Sequence, residues 1–245
     1  MDEAKRPEKK IDTLITSDEN RSMFDRIAGY YDGTNRILSL GFDRGWRRKA
    51  VACLKPEADG VYLDIGCGTA DVCFEVIRQG PGSRVVGIDP SEGMLEIGRD
   101  KLEAAGLSEA VQLQTGDVLD LQFDDNSLDG AITAFCIRNV VDRRGALKEV
   151  QRVLRPGARL VILELTDPVG VMKPLFRVYS NVLIPLVTKI MSSVPAYRYL
   201  TKSMAHFPSS EEFTALIQET GYVNAQFFRM TGGITTIFVA EAPDS

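Results

Sequence analysis

Apolar residues in this chain follow two different periods, and the change between them divides the sequence. From Ser22 to Tyr31, Phe24, Ile27, Ala28 and Tyr31 recur at helical spacing. A second helical segment, Asp43 to Leu54, follows the turn-like pair Leu40-Gly41. Short apolar runs then alternate with helical patterns. Strands are expected at Tyr62–Ile65, Arg84–Ile88, Val111–Thr115, Leu128–Phe135 and Arg159–Leu165. Between them fall helices Ala70–Arg78, Ser91–Ala105, a short helix after Thr115, and Arg143–Val153. Continuous rather than alternating apolar strands indicate a parallel sheet covered on both faces. The alternation stops at residues 168–207, a largely apolar stretch with prolines at Pro174 and Pro185. A helix, Ser210–Thr220, and two strand-like runs, Asn224–Met230 and Ile234–Ala240, close the chain as a hairpin through Thr231-Gly232-Gly233. The expected fold is α/β: a Rossmann-like, seven-stranded, mostly parallel sheet with an antiparallel edge strand. A helical lid precedes it and a helical insertion comes before the last helix. Residues 1–20 read as a flexible terminus and 21–245 as one domain, with the insertion at about 168–207.

The first strand delivers VYLDIGCGTAD, and the second ends in a carboxylate at Asp89. A glycine turn at a helix start, followed by an acid closing the next strand, is how open α/β sheets hold a nucleoside. Gly66 and Gly68 let backbone approach a ligand. A dinucleotide fingerprint has its third glycine at the sixth position, but here that place is Asp71, which would repel a pyrophosphate. Asp64, before the turn, also suits a ligand with a positive end. S-adenosylmethionine (SAM), a ribonucleoside carrying an ammonium and a sulfonium, matches that charge pattern.

Asp89 is placed to accept both ribose hydroxyls, or else to cap the helix begun by Ser91. Met94, opening the apolar face of that helix, belongs with the cofactor residues. Thr69 can bond the ligand carboxylate or cap its own helix. Asp117 and Val118, at the end of the third strand, lie where an adenine amine and ring nitrogen would be read, although a solvated loop acid is the plainer alternative. The fourth strand runs into Arg138 and Asn139, two polar side chains among apolar neighbours at a strand end where such sheets bind ligands. They read as substrate contacts, or Arg138 as the ion-pair partner of an acid such as Asp142. Tyr31 reads as part of an amphipathic lid that can also face the sulfonium. His206 is the only histidine, either a base or ordinary surface chemistry.

With 29 Lys and Arg against 34 Asp and Glu, the net charge of −5 argues against nucleic-acid binding. Cys53, Cys67, Cys73 and Cys136 form no CxxC pair, and no metal site is expected. They fit free thiols in a reducing cytosol. The charged start MDEAKRPEKKIDT has no apolar core of a signal peptide, and no apolar run approaches the ~20 residues that span a bilayer. A cytoplasmic protein is the expectation.

Taken together, the blocks FDRIAGYYDGTNRILSLG, GWRR, LDIGCGTAD, RNVVDRRGALKEVQRVLRPG, LELTDP, YRYLTKSMAHFPSSEEF and TGGI resemble one family. It is that of the ubiquinone/menaquinone biosynthesis C-methyltransferases (UbiE/MenG type), a branch of the class I SAM-dependent methyltransferases. The resemblance runs from about Phe24 to Gly233. It implies SAM as cofactor and methylation of a ring carbon on a hydrophobic prenylated quinol, with demethylmenaquinol the leading acceptor. It also implies SAM contacts at Thr69, Asp89, Asp117 and Val118, substrate contacts at Arg138 and Asn139, and a lid at Tyr31 and Asp32. A base, or a water held by Arg138, Asn139 or Asp32, would deprotonate the ring hydroxyl. The greasy segment near 171–193 reads as a packed insertion that can also touch the inner face of a membrane, and a homodimer stays open.

The chain departs from the family's usual pattern at several places. Cys67 and Ala70 replace glycines, and Ala134 stands where a small polar residue is common. Phe42-Asp43 replaces an isoleucine-histidine pair, and no histidine follows Gly233-Ile234. These changes bear on the acceptor more than on methyl transfer. The competing readings are a methyltransferase of another hydrophobic phenol and a non-catalytic SAM-binding subunit. A nicotinamide enzyme fails on Asp71.

Overall fold

The computed structural model describes residues 17–180, 203–204 and 206–244. Seven strands form one sheet in the order β3-β2-β1-β4-β5-β7-β6. They are β1 Val61–Ile65, β2 Arg84–Asp89, β3 Val111–Thr115, β4 Leu128–Ala134, β5 Leu154–Leu165, β6 Val223–Met230 and β7 Thr235–Glu241. The first five pair in parallel, while β7 runs antiparallel to both β5 and β6. The closing hairpin therefore supplies the expected antiparallel character, with β7 inside and β6 outermost.

Successive strand residues feed opposite faces, as pleating requires. Leu63, Ile65, Leu160 and Ile162 pack on one face against α5 Arg143–Val153 and α7 Ser210–Glu219. Tyr62, Val161 and Leu163 pack on the other against α2 Phe42–Leu54, α3 Asp71–Gln79 and α4 Glu92–Ala104. This double burial is the reason the strands read as unbroken apolar runs.

Two expectations are corrected, and a third falls largely outside the described residues. Helix α1 spans Ser17–Leu38, so residues 17–20 belong to the helix and not to a frayed terminus. It runs through Gly29 and Gly33 because docking on α4 outweighs their helix cost of about 1 kcal/mol each. The short helix after β3 is absent: Gly116–Ser127 is a loop with one isolated bridge, Asp117 to Asp120, and it covers the sheet with Val118 and Leu121. Of the expected insertion at 168–207, the described part contains α6, Met172–Val178, and much of the rest lies outside the described residues.

The strand order reverses direction at β1, whose neighbours are β2 on one side and β4 on the other. Open α/β sheets bind ligands outside the carboxyl ends of strands at such a switch point.

Candidate active site

A cavity opens at this switch point. Its walls come from residues following β1 (Gly66, Gly68), β2 (Asp89 to Ser91), β3 (Gly116 to Leu119) and β4 (Ala134 to Cys136), roofed by Phe24 and Tyr31 of α1. Met94, Asp117, Val118 and Asn139 also line it. Gly66 has φ +67°, and a Cβ there would collide with the Cys136 side chain, so the position demands glycine. At Gly68, nothing of the protein stands within 4 Å of where a Cβ would sit. Ala70 has φ +69°, a left-handed conformation that costs a non-glycine residue about 1–2 kcal/mol. Its methyl is therefore tolerated at some strain, more than the sequence suggests.

The turn is tied down by Asp89. One carboxylate oxygen accepts from the Gly68 N–H at 2.9 Å and the other from the Ser91 N–H at 2.9 Å. Burial pushes the Asp89 carboxyl above its ordinary range, partly offset by those two N–H donors. Ser91 caps α4, its Oγ accepting from the Met94 N–H at 3.3 Å. Asp64 is 1% exposed, and burial pushes its carboxyl up to about 7. Oδ2 accepts from the Cys73 thiol at 3.1 Å, whereas among the described residues Oδ1 has no hydrogen-bond partner. A buried carboxylate oxygen without a partner is costly unless a ligand cation completes it. A cavity lined by the carboxylates of Asp89 and Asp117 and by apolar Ile65 and Ile88 thus fits a cationic ribonucleoside such as SAM and would repel a pyrophosphate; Asp64 is not among the residues that line it.

Two clasps hold α1 over this cavity. Ser91 Oγ and the Gly93 N–H donate to Asp25 at 2.6 and 3.2 Å. One turn and more along, Thr69 Oγ1 and Lys101 Nζ donate to Asp32 at 2.6 and 2.9 Å. Lys101 also reaches Asp71 at 2.7 Å. Burial works against charge on Asp71, but Arg47 and Lys101 outweigh it and hold its carboxyl below the ordinary range. Asp32 and Thr69, expected as a proton acceptor and a cofactor contact, are thus engaged with each other. Asp32 lines neither this cavity nor the next.

A second, more apolar cavity adjoins the first, and Tyr31 and Phe135 line both. Leu38, Trp46, Leu165, Phe176 and Ile234 supply apolar walls; Asp43, Arg47 and Arg138 supply charge. Trp46 is fixed by donating Nε1–H to Thr231 Oγ1 at 2.8 Å and meets Phe135 edge-on at 6.3 Å. Phe135 itself has φ +61°. For a bulky residue this is a strained backbone, of the kind that accumulates at functional sites. Burial raises the Tyr31 hydroxyl above its ordinary range, moderated by Asn35, Arg138 and Arg47.

Arg138 is 8% exposed and its partner is Glu164 of β5, not Asp142. Glu164 accepts from the Arg138 guanidinium at 2.7 Å, from the Arg138 N–H at 3.0 Å and from the Leu165 N–H at 2.8 Å. The guanidinium also donates to the Phe135 carbonyl and to Ser203 Oγ. Asp142 instead caps α5 through the Gly145 N–H at 2.8 Å. His206 is exposed and lines neither cavity. All four cysteines are free.

Asp25, Trp46, Arg47, Phe135 and Glu164 escaped sequence reasoning as site residues, and Asp43 entered it only as a departure from the family's pattern bearing on the acceptor. The blocks GWRR and LELTDP contained three of them, but nothing in their local pattern says that α2 and β5 meet the end of β4.

Comparison with known proteins follows the same lines. The model of the ubiE/COQ5 methyltransferase family matches residues 13–241. A "Ubiquinone/menaquinone biosynthesis C-methyltransferase UbiE" of Geotalea uraniireducens is 40% identical over 223 residues, covering 90% of this chain and 95% of the relative. A "Demethylmenaquinone methyltransferase" of Bacteroides fragilis is 41% identical over 226 residues, covering 91% and 92%. Among solved structures, a SAM-dependent methyltransferase from Aquifex aeolicus superposes with a TM-score of 0.61 at 17% identity, covering 80% of this chain and 89% of that one. That level of identity speaks to the fold alone, whereas the matched model and the close relatives settle descent: this chain belongs to the ubiE/COQ5 methyltransferase family.

Proposed function

We propose that this protein transfers a methyl group from SAM to a ring carbon of a reduced, prenylated quinone precursor, with demethylmenaquinol as the leading acceptor. The observation that carries the reading is the pair of adjoining cavities: a carboxylate-edged one at the switch point and an apolar one beside it, with Tyr31 and Phe135 shared between them. The relatives named for the same chemistry support it.

When bound, SAM supplies an electrophilic methyl on a sulfonium. The residues of this chain bind and align. Asp89 receives the ribose hydroxyls, Asp64 Oδ1 faces the ammonium, and Asp117 with Val118 reads the adenine edge. Gly66, Gly68, Thr69 and Met94 shape the cradle. Tyr31 roofs it and, with Phe24 at 5.9 Å, keeps water from the junction. Arg138 and Asn139 orient the acceptor from the end of β4. Holding two reactants in line and excluding water accounts for much of the rate in such transfers. The acceptor must be the hydroquinol, because only an electron-rich ring carbon attacks.

Exposed apolar side chains of Ile37, Leu40 and Phe42 at the α1–α2 turn, and of Val171, Leu175 and Val178 around α6, neighbour in sequence the cavity-lining Leu38, Ser39, Asp43, Phe176 and Tyr179. Tyr179 joins the two sides by donating to the Leu38 carbonyl. With Arg44 and Arg177 exposed nearby, this surface suits peripheral contact with an anionic membrane that carries the lipid acceptor. No described helix is long and apolar enough to cross a membrane.

The test is release of S-adenosylhomocysteine on adding demethylated naphthoquinone, reduced or oxidised. Release with the reduced form only supports the reading; release with neither, from protein that binds SAM, overturns it.

A further inference from the structure

The expected candidates for the proton acceptor do not all reach the acceptor ring. Asp32 is engaged by Thr69 and Lys101 and lines neither cavity. Glu164 lines neither cavity, and a guanidinium is no base at neutral pH. Among the described residues that line the second cavity, one carboxylate remains, Asp43. We propose that Asp43 accepts the ring-hydroxyl proton of the acceptor and that Arg47, which lines the same chamber, holds the negative charge this leaves on the ring oxygen. The proposal rests on reading the second cavity as the acceptor chamber.

Asp43 sits in the first turn of α2 and is 3% exposed. Its Oδ1 accepts from Ser39 Oγ at 2.8 Å and lies 3.4 Å from Arg36 Nε. Its Oδ2 accepts from Arg47 at 2.6 Å. The other ionisable groups lining the chamber are Tyr31 from α1, Arg138 from the segment after β4, and Tyr179 following α6. The Arg47 guanidinium lies over the Phe135 ring at 5.3 Å from its centroid, and Phe135 is the wall between the two cavities. The acid–arginine pair therefore stands beside the junction where ring carbon and methyl have to meet.

The charges make the transfer feasible in a site poor in water. When Asp43 takes the proton it becomes neutral, and the ring oxygen becomes negative in its place. Arg47 then faces the same total charge as before, so its charge is not left unpaired. The electron pair on oxygen raises density at the carbon ortho to it. That carbon forms the bond to methyl as the C–S bond breaks with its pair to sulfur. The methylated ring leaves as its neutral keto tautomer, passes the hydrogen on that carbon to water and takes one up on oxygen to become aromatic again, and Asp43 releases its proton to solvent. One proton is released per methyl transferred. A hydroxyl ortho or para to the reacting carbon becomes a requirement, not a preference.

The experiment compares wild type, Asp43→Asn and Asp43→Glu on two reduced naphthoquinol acceptors. One is the ordinary hydroquinol, the other a halogenated analogue whose hydroxyl is already ionised at the assay pH. For the ordinary acceptor, Asp43→Asn should lower kcat by about 10²–10⁴-fold, the usual worth of a general base. Asp43→Glu should recover part of it, and SAM affinity by calorimetry should not change. With the ionised acceptor the loss should shrink, which a merely structural role would not produce. Should melting show Asp43→Asn unfolded, Asp43→Glu carries the same comparison, because it keeps the carboxylate. Equal losses on both acceptors, or wild-type kcat in Asp43→Asn, overturn the proposal while leaving the chamber reading intact. A wild-type protein that binds SAM and methylates neither quinol overturns the chamber reading itself.

Discussion

Replacing Asp64 by asparagine separates what this residue does for the ligand from what it costs the fold. Between its ordinary value of 3.8 and its native value of about 7, the folded protein holds a proton on Asp64 that the unfolded chain has released. The native state then binds more protons than the unfolded one, so stability falls as pH rises from about 4 to about 7. Burial is the main cause; the Cys73 thiol and Arg47 reduce it, and the nearby carboxylates Asp89 and Asp71 add to it. A displacement of that size corresponds to about 4 kcal/mol at pH 8, an upper bound. Asparagine keeps the shape and removes the charge, but leaves a buried amide short of a partner, which costs about 1–3 kcal/mol. The variant without SAM should therefore be about 1–3 kcal/mol more stable than wild type at pH 8. It should also lose most of the stability decline between pH 4 and 7. Binding should change in the opposite direction. Losing a charge-assisted bond of about 1.5–3 kcal/mol to the cofactor ammonium weakens SAM by about 10–100-fold. For wild type, SAM affinity should rise with pH through about 7 as Asp64 ionises. Urea denaturation at pH 5 and 8 and calorimetry with SAM supply both readouts. A variant less stable than wild type at pH 8, with the pH dependence unchanged, would refute the raised native value; unchanged SAM affinity would refute the ammonium contact.

Asp89→Ala removes a two-oxygen acceptor worth about 1.5–3 kcal/mol per charged bond, so SAM affinity should fall by at least about 100-fold. Unchanged affinity by calorimetry would contradict the ribose assignment. Arg138→Ala should cut turnover without weakening SAM, and should also cost about 3–5 kcal/mol in denaturant melts because Glu164 is left charged and buried. The double variant Arg138→Met, Glu164→Gln should recover most of that stability but not the turnover; recovery of both would remove Arg138 from the chemistry. Asp25→Ala opens one clasp of the lid, so amide exchange along α1 should speed up and SAM should dissociate faster in stopped-flow. Exchange in α1 at the wild-type rate would show that the clasp does not hold the helix.

The sheet was legible because its strands are buried on both faces, and burial on both faces is what an unbroken apolar run such as Leu160–Leu163 requires. The glycine turn was legible because Gly66 and Gly68 sit in conformations that their sequence context announces. Local pattern failed where tertiary contact decided. Nothing in the period of α1 shows that it continues to Leu38, since the support comes from α4 through Asp25, Asp32 and Lys101. A short helix was expected after Thr115, yet Val118 and Leu121 cover the sheet from a loop whose Asp117 accepts from the Leu119 N–H. The polar side of the second cavity was the least readable. Arg138 and Glu164 are 26 residues apart and meet only because β4 and β5 are neighbours. Asp43 was visible in the sequence as a departure from a family pattern, but its position in the chamber depends on the packing of α1 against α2.

The most direct test of the account uses SAM carrying a carbon-13 methyl and reduced demethylated naphthoquinol. Mass spectrometry and carbon NMR of the product then locate the label. The account predicts a single labelled methyl on a ring carbon, with both hydroxyls intact. A labelled methoxy group, or no transfer from protein that binds SAM, would contradict it.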